Sequence, residues 1–158
     1  MKKIGNIVFA ICLILLITMS CVVKPLSNLD EIWNFNIGRC IANGLVPYRD
    51  ISMVSTPLLG FILAIPLKLF GQEMFYTRVV AIIVAVLNFF VIYKILKNLG
   101  IRKEIIRLVE IIILAPNCEL IRIDYNVLVL LFILTIIYLE IKALKNEKWN
   151  KILFAACG

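Results

Sequence analysis

Residues 2–31 read KKIGNIVFAICLILLITMSCVVKPLSNLDE, and the fold follows from how this stretch meets lipid and water. Ile4 to Val23 is uncharged for about 20 residues, enough as a helix to cross the roughly 30 Å hydrocarbon core of a bilayer. Lys2 and Lys3 precede the run and favour a cytoplasmic N-terminus, because basic residues are retained on that side. Lys24-Pro25 stops the helix, so Asp30 and Glu31 emerge on the far side of the membrane. Thr18-Met19-Ser20-Cys21 loosely resembles a lipoprotein cleavage site. The apolar run, however, is longer than the roughly 7–15 residues of a signal h-region, and Thr18 stands where such sites use Leu, so the helix is read as retained.

Composition extends this to the whole chain. Of 158 residues, 63% are hydrophobic and 17% charged, and the mean hydropathy is +1.02. Soluble domains are only about 45–50% apolar, which leaves an all-α polytopic membrane protein. The net charge of +7 comes from Lys and Arg dispersed between apolar runs. No basic stripe interleaved with aromatics is present, so nucleic acid is excluded as a partner. With no histidine, and five cysteines without a C-x-x-C pair, neither a His/Cys zinc site nor a His-dependent triad can be assembled.

The next segments form a first extracytoplasmic loop, about residues 24–73. Asn28 before Glu31, or Ser27 before Asp30, has the spacing of a capping box and predicts a helix running to Asn43-Gly44. That helix is expected to lie in the interface, with Leu29, Trp33, Ile37, Cys40 and Ile41 on one face and Asp30, Asn34 and Asn43 towards the other. Pro57 to Phe70 is apolar apart from Lys68 but too short to cross, and Pro66 interrupts it. Were it a span, the next helix would deliver Lys94, Lys97, Arg102, Lys103 and Arg107 to the outside, against the charge rule. It is therefore read as a second juxtamembrane helix.

Met74–Tyr93, Ile105–Leu120 and Tyr125–Ile141 are the second, third and fourth spans. Lys142, Lys145, Lys148 and Lys151 follow on the cytoplasmic side. Ile152–Gly158 resembles the opening turns of a fifth span, so residues 1–158 are expected to be the N-terminal part of a longer membrane domain.

The charged residues of the loop are the candidate site. Asp30 and Glu31 suit general-base chemistry at the bilayer surface, with helix capping as the plainer reading. Tyr48-Arg49-Asp50 follows Val46-Pro47; Arg49 could clamp a phosphate while Asp50 holds the loop, or the two simply pair. Arg78, near the outer end of the second span, would meet a lipid phosphate or snorkel to the interface. Asp124 marks the outer start of the fourth span. Glu110 is the one acid expected inside the hydrocarbon, with Arg107 three residues before it as a partner.

Leu29-Asp30-Glu31-Ile32-Trp33, then Ala42-Asn43-Gly44-Leu45-Val46-Pro47-Tyr48-Arg49-Asp50, Thr56-Pro57-Leu58, Leu69-Phe70-Gly71 and Phe75-Tyr76-Thr77-Arg78 occur in a telling order. Together they resemble the N-terminal part of GT-C-fold membrane glycosyltransferases related to protein O-mannosyltransferases and aminoarabinose transferases. The resemblance implies a plasma (inner) membrane enzyme of the bacterial cell envelope. It implies inverting transfer of a hexosyl or pentosyl group from a polyprenyl-phosphate-linked sugar donor on the extracytoplasmic face, among membrane lipids. Asp30 matches the family's catalytic acid and Glu31 its neighbour, while Tyr48, Arg49, Asp50, Arg78 and Asp124 are candidates for substrate binding. A divalent metal is used by some relatives, but Val54-Ser55-Thr56 lacks the acid that binds it there. Relatives also place Arg after the acid pair, where this chain has Ile32-Trp33. As part of a longer chain, these residues are expected to be inactive alone.

Two other classes are compatible with the composition. A transporter or lipid-flipping subunit would use intramembrane polar groups, for which Glu110 and Asn88 are the candidates; a non-catalytic membrane scaffold would need none. Orientation can be tested in intact cells with a variant keeping only Cys40. A membrane-impermeant thiol reagent should label it, and protection until permeabilisation would reverse the topology.

Overall fold

A computed structural model of the protein describes residues 2–23, 29–117 and 124–145. The order is α1 (Lys2–Val22), α2 (Leu29–Ala42), α3 (Leu58–Phe70), α4 (Met74–Asn98), α5 (Lys103–Asn117) and α6 (Tyr125–Leu144). Among the described residues there is no strand, only an isolated bridge between Pro47 and Ile51. The Lys24-Pro25 stop, the Ser27 and Asn28 caps, the last residues of the expected third span, Lys148, Lys151 and Ile152–Gly158 lie outside the described residues.

Among the described residues, three helices are long and apolar enough to cross a membrane: Ile4–Val22 within α1, Met74–Asn98 and Tyr125–Leu144. Both later spans run past the expected ends at Tyr93 and Ile141. In α4 the lysines that prompted the earlier boundary stay helical by folding over aromatic rings, Lys94 over Phe90 and Lys97 over Tyr93. Helix α5, at 15 residues, rises about 22 Å. Helix α3 has 13 residues and rises about 20 Å, short of the hydrocarbon thickness.

Side-chain contacts fix the directions of the helices. The Arg78 side chain near the start of α4 reaches the last carbonyl of α1, at Val22, so α1 and α4 run antiparallel. Arg107 in α5 bonds Asn6 and lies over the Phe9 ring, which sets the start of α5 beside the start of α1. Lys145 at the end of α6 bonds the Asn98 carbonyl at the end of α4, so these two run parallel. Parallel neighbours need a return crossing between them, and α5 begins it. Lys94, Lys97, Arg102, Lys103, Arg107, Lys142 and Lys145 thereby collect at one end of the bundle, with α2 and α3 at the other.

Helix α4 is the hub because its buried positions are small or polar: Thr77, Ala81, Ala85 and Asn88, with Val84 and Phe89. Small side chains let backbones approach closely, which matters where lipid gives helices no hydrophobic reason to associate. Asn88 donates to its own Val84 carbonyl and, at 3.1 Å, to Val127 of α6. Since Asn88 lies about 21 Å along the axis from Met74, α6 starts beside the middle of α4 and not level with its outer end.

Helices α2 and α3 cross at two glycines. A Cβ on Gly38 would come within 2.7 Å of Leu63 Cβ, and one on Gly60 within 2.6 Å of Ile37 Cγ2 and 2.8 Å of Ile41 Cδ1. This contact changes the expected face of α2. Glu31, Asn34, Ile37 and Gly38 are turned inwards, while Leu29, Ile32 and Trp33 remain exposed. The apolar set at Leu29 and Trp33 marks a second, outward face; the buried face is chosen by the glycine that allows close approach. Gly44 ends α2 in the left-handed region (φ 89°), as expected of a helix stop.

Replacing Gly60 by Val should force the crossing apart and lower stability by about 1–3 kcal/mol, the usual cost of overpacking. Gly5→Ala, where nothing lies within 4 Å, should be neutral or slightly stabilising because Ala favours helix. Apparent unfolding temperatures of the two variants in detergent check this; equal values would show that the crossing is loose.

Candidate active site

The first turn of α2 puts two adjacent carboxylates in opposite environments. Asp30 is exposed, whereas Glu31 is buried at 6% exposure. The acid pair read from the sequence is therefore one accessible acid and one structural one. Both sit at the positive end of the α2 dipole, which favours negative charge there.

Glu31 is held by Arg78, whose Nε donates to Glu31 Oε1 at 3.1 Å. The Arg78 Nη1 donates to the Val22 carbonyl at 3.2 Å. That carbonyl belongs to the last turn of α1, where helical acceptors lack intrahelical donors and carry the negative end of the dipole. Cys21 Sγ donates back to the Arg78 carbonyl at 3.6 Å, and Thr77 beside it is fully buried with Oγ1 donating to Met74 O. One guanidinium thus joins α1, α2 and α4. Its side chain is 15% exposed and that of Glu31 8%, so Arg78 meets protein groups through Nε and Nη1 in a largely buried setting.

Tyr48, Arg49 and Asp50 form a self-contained turn beyond the other end of α2, which spans about 20 Å between Asp30 and that turn. Asp50 Oδ2 accepts from the Val46 N–H at 2.8 Å. Arg49 Nε and Nη2 meet the two Asp50 oxygens at 2.9 Å each, a bidentate pair. Arg49 beside it, with the Val46 N–H, holds the Asp50 carboxyl below the usual carboxylate range. Tyr48 adopts a positive φ of 65°, tolerated because its N–H bonds Ile51 O and its hydroxyl donates to Ser55 O at 3.0 Å. Asp50 is an anchor of the turn; Arg49 projects from it into solvent.

Gln72 ties the α3–α4 connection to the end of α2: Arg39 donates to Gln72 Oε1 at 3.0 Å, and Asn43 exchanges amide bonds with the same side chain. Nothing in the sequence pattern singled out Arg39 or Gln72, or paired Asn43 with Gln72, because Gln72 lies about 30 residues from the other two. Asp124 caps α6, its Oδ1 accepting from the Asn126 N–H at 3.4 Å and its Oδ2 from the Asn126 amide at 3.0 Å. Given where α6 begins, Asp124 sits below the level of Arg78. The transporter candidates diverge: Asn88 binds α6, while Glu110 is buried beside a cavity near the opposite end. Arg107 bonds Asn6 and makes no ion pair with Glu110.

Among the described residues, no three or more His, Cys, Asp or Glu side chains gather as a metal site. Glu31 is engaged with Arg78, and the donors gathered among the described residues do not fit a divalent ion.

No curated protein and no solved structure matches the chain. Residues 54–158 match the family described as dolichyl-phosphate-mannose-protein mannosyltransferase. The match begins at the end of the Tyr48–Ser55 turn and takes in α3, Arg78 and the helices behind it, two thirds of the chain. The all-helical fold, the membrane-spanning helices and this match agree that the chain belongs to that family of membrane glycosyltransferases.

Proposed function

We propose that the end of the bundle carrying α2 is the extracytoplasmic face. There the protein serves inverting transfer of a sugar from a polyprenyl-phosphate-linked donor to an acceptor hydroxyl, with Asp30 as general base. The observation that supports it most is the division of labour in the first turn of α2. Glu31 and Arg78 neutralise each other and fix the turn, and Asp30 is exposed at its surface.

In the proposed step Asp30 accepts the acceptor's proton as that oxygen attacks the anomeric carbon. The bond from this carbon to the phosphate oxygen breaks, and the electron pair leaves with the lipid phosphate. Attack from the side opposite the leaving group inverts the centre. Arg49 is an exposed cation of the loop suited to a phosphate, for Asp50 has its Val46 contact besides the pairing with Arg49. Glu31 acts through Arg78 as a positioning residue. Collection of the basic residues at the opposite end favours a cytoplasmic location for that end.

Asp30→Asn keeps shape and a capping oxygen but cannot take a proton. Transfer by the full-length enzyme in vesicles should fall about 10²–10⁴-fold, equivalent to roughly 3–5 kcal/mol of transition-state stabilisation. Stability should change by no more than about 1 kcal/mol. Glu31→Ala should do the reverse in kind, leaving Arg78 uncompensated and destabilising the protein by about 3 kcal/mol or more. A well-expressed Asp30→Asn enzyme with near-normal transfer would reduce Asp30 to a helix cap.

A further inference from the structure

The bundle holds a cavity of about 300 Å³ between α1, α4 and α5, at the end remote from Asp30. Its walls include Leu13, Ile17, Val86 and Phe89, together with Ile14 and Phe90, which are also exposed on the side of the bundle. A second, smaller cavity of about 160 Å³ adjoins it. The two share Asn6, Lys103 and Arg107, which form a polar neck between an apolar compartment and a polar one. Arg107 is already oriented there by its bond to Asn6 and by the Phe9 ring at 5.4 Å. A guanidinium with five donors keeps others for a phosphate.

We propose that these paired cavities bind one phospholipid with an anionic headgroup, taken from the leaflet at the basic end of the bundle. An acyl chain would fill the apolar compartment and the phosphate would sit at Lys103 and Arg107. Two acids border the site. Glu104 lines the polar cavity but is exposed and faces Arg102 at 3.7 Å, which offsets its charge. Glu110, three residues beyond Arg107, is buried and lines the apolar compartment but not the smaller one. A wall exposed on the side of the bundle, apolar depth and a cationic neck near the bundle end match a lipid's own sequence of chain, phosphate and headgroup. A soluble anion would use only the small compartment.

The protein is reconstituted in vesicles of mixed phosphatidylglycerol and phosphatidylcholine with identical chains, and the lipid retained after mild extraction is read by native mass spectrometry. Phosphatidylglycerol should be retained in preference. The preference should fall about tenfold in Lys103→Gln/Arg107→Gln, on the scale of one cationic contact or more with an anionic lipid. It should persist in Lys94→Gln/Lys97→Gln, which removes equal charge from the same end outside the cavity. Ala10→Trp fills the apolar compartment from an exposed position with every charge intact, and should abolish retention; it decides the matter if the double Gln variant does not fold. Excess inorganic phosphate should not displace the lipid. Equal retention of both lipids, equal losses in the two double variants, displacement by phosphate, or retention by Ala10→Trp would each overturn the proposal.

Discussion

Arg78 is the point on which the arrangement depends. Its guanidinium meets a carboxylate from α2 and a carbonyl from the end of α1, and its own backbone belongs to the hub helix. Burying an arginine is costly unless its charge is matched, and here the carboxylate and the carbonyl that meet it are supplied only when three helices come together. The interaction therefore specifies an arrangement more than it stabilises one. With the electrostatics of Glu31 satisfied internally, its neighbour Asp30 is held at the surface of a rigid turn.

The rest of the outer end is built by close approach. Gly38 and Gly60 let α2 and α3 cross at contact distances that a Cβ would forbid. The stacked Phe70 and Tyr76 rings, with centroids 5.7 Å apart, carry that pair onto the start of α4. Gln72, bridging Arg39 and Asn43, locks the short connection between them. A helix too short to span is thus integrated through a glycine contact, an aromatic stack and a polar bridge, each drawing on a different part of the sequence.

Much of this was legible beforehand. Apolar length placed the first, second and fourth spans, charge asymmetry separated the two ends, and the positive φ of Gly44 was implied by its position after an amphipathic run. The two faces of α2 were not. Periodicity alone cannot tell which of two half-apolar stripes is buried when a glycine 20-odd residues away in another helix makes the choice. The split between Asp30 and Glu31 was hidden for a similar reason, because the partner of Glu31 is 47 residues distant. For Arg78 the sequence shows a cation near an interface but not the Glu31 carboxylate and the Val22 carbonyl that it meets. The Tyr48-Arg49-Asp50 turn, by contrast, is local, and the pairing of its Arg and Asp is the one that adjacent residues make most readily.

The junction of α4 with α6 has a bearing on how such a bundle tolerates change. Asn88 is 5% exposed and spends both amide hydrogens on carbonyls, while its Oδ1 finds no partner in the structure. Turning the amide over would set an oxygen against two oxygens, so the unmatched acceptor is unavoidable. A leucine would remove that deficit, worth about 1–3 kcal/mol for a buried polar atom. It would also remove a directional contact that, with the Lys145 bond to the Asn98 carbonyl, keeps α6 from sliding along a smooth strip of small side chains. At this position, then, stability and register pull in opposite directions, and the chain has the residue that fixes register: α6 is placed at one depth against α4 at a standing energetic disadvantage.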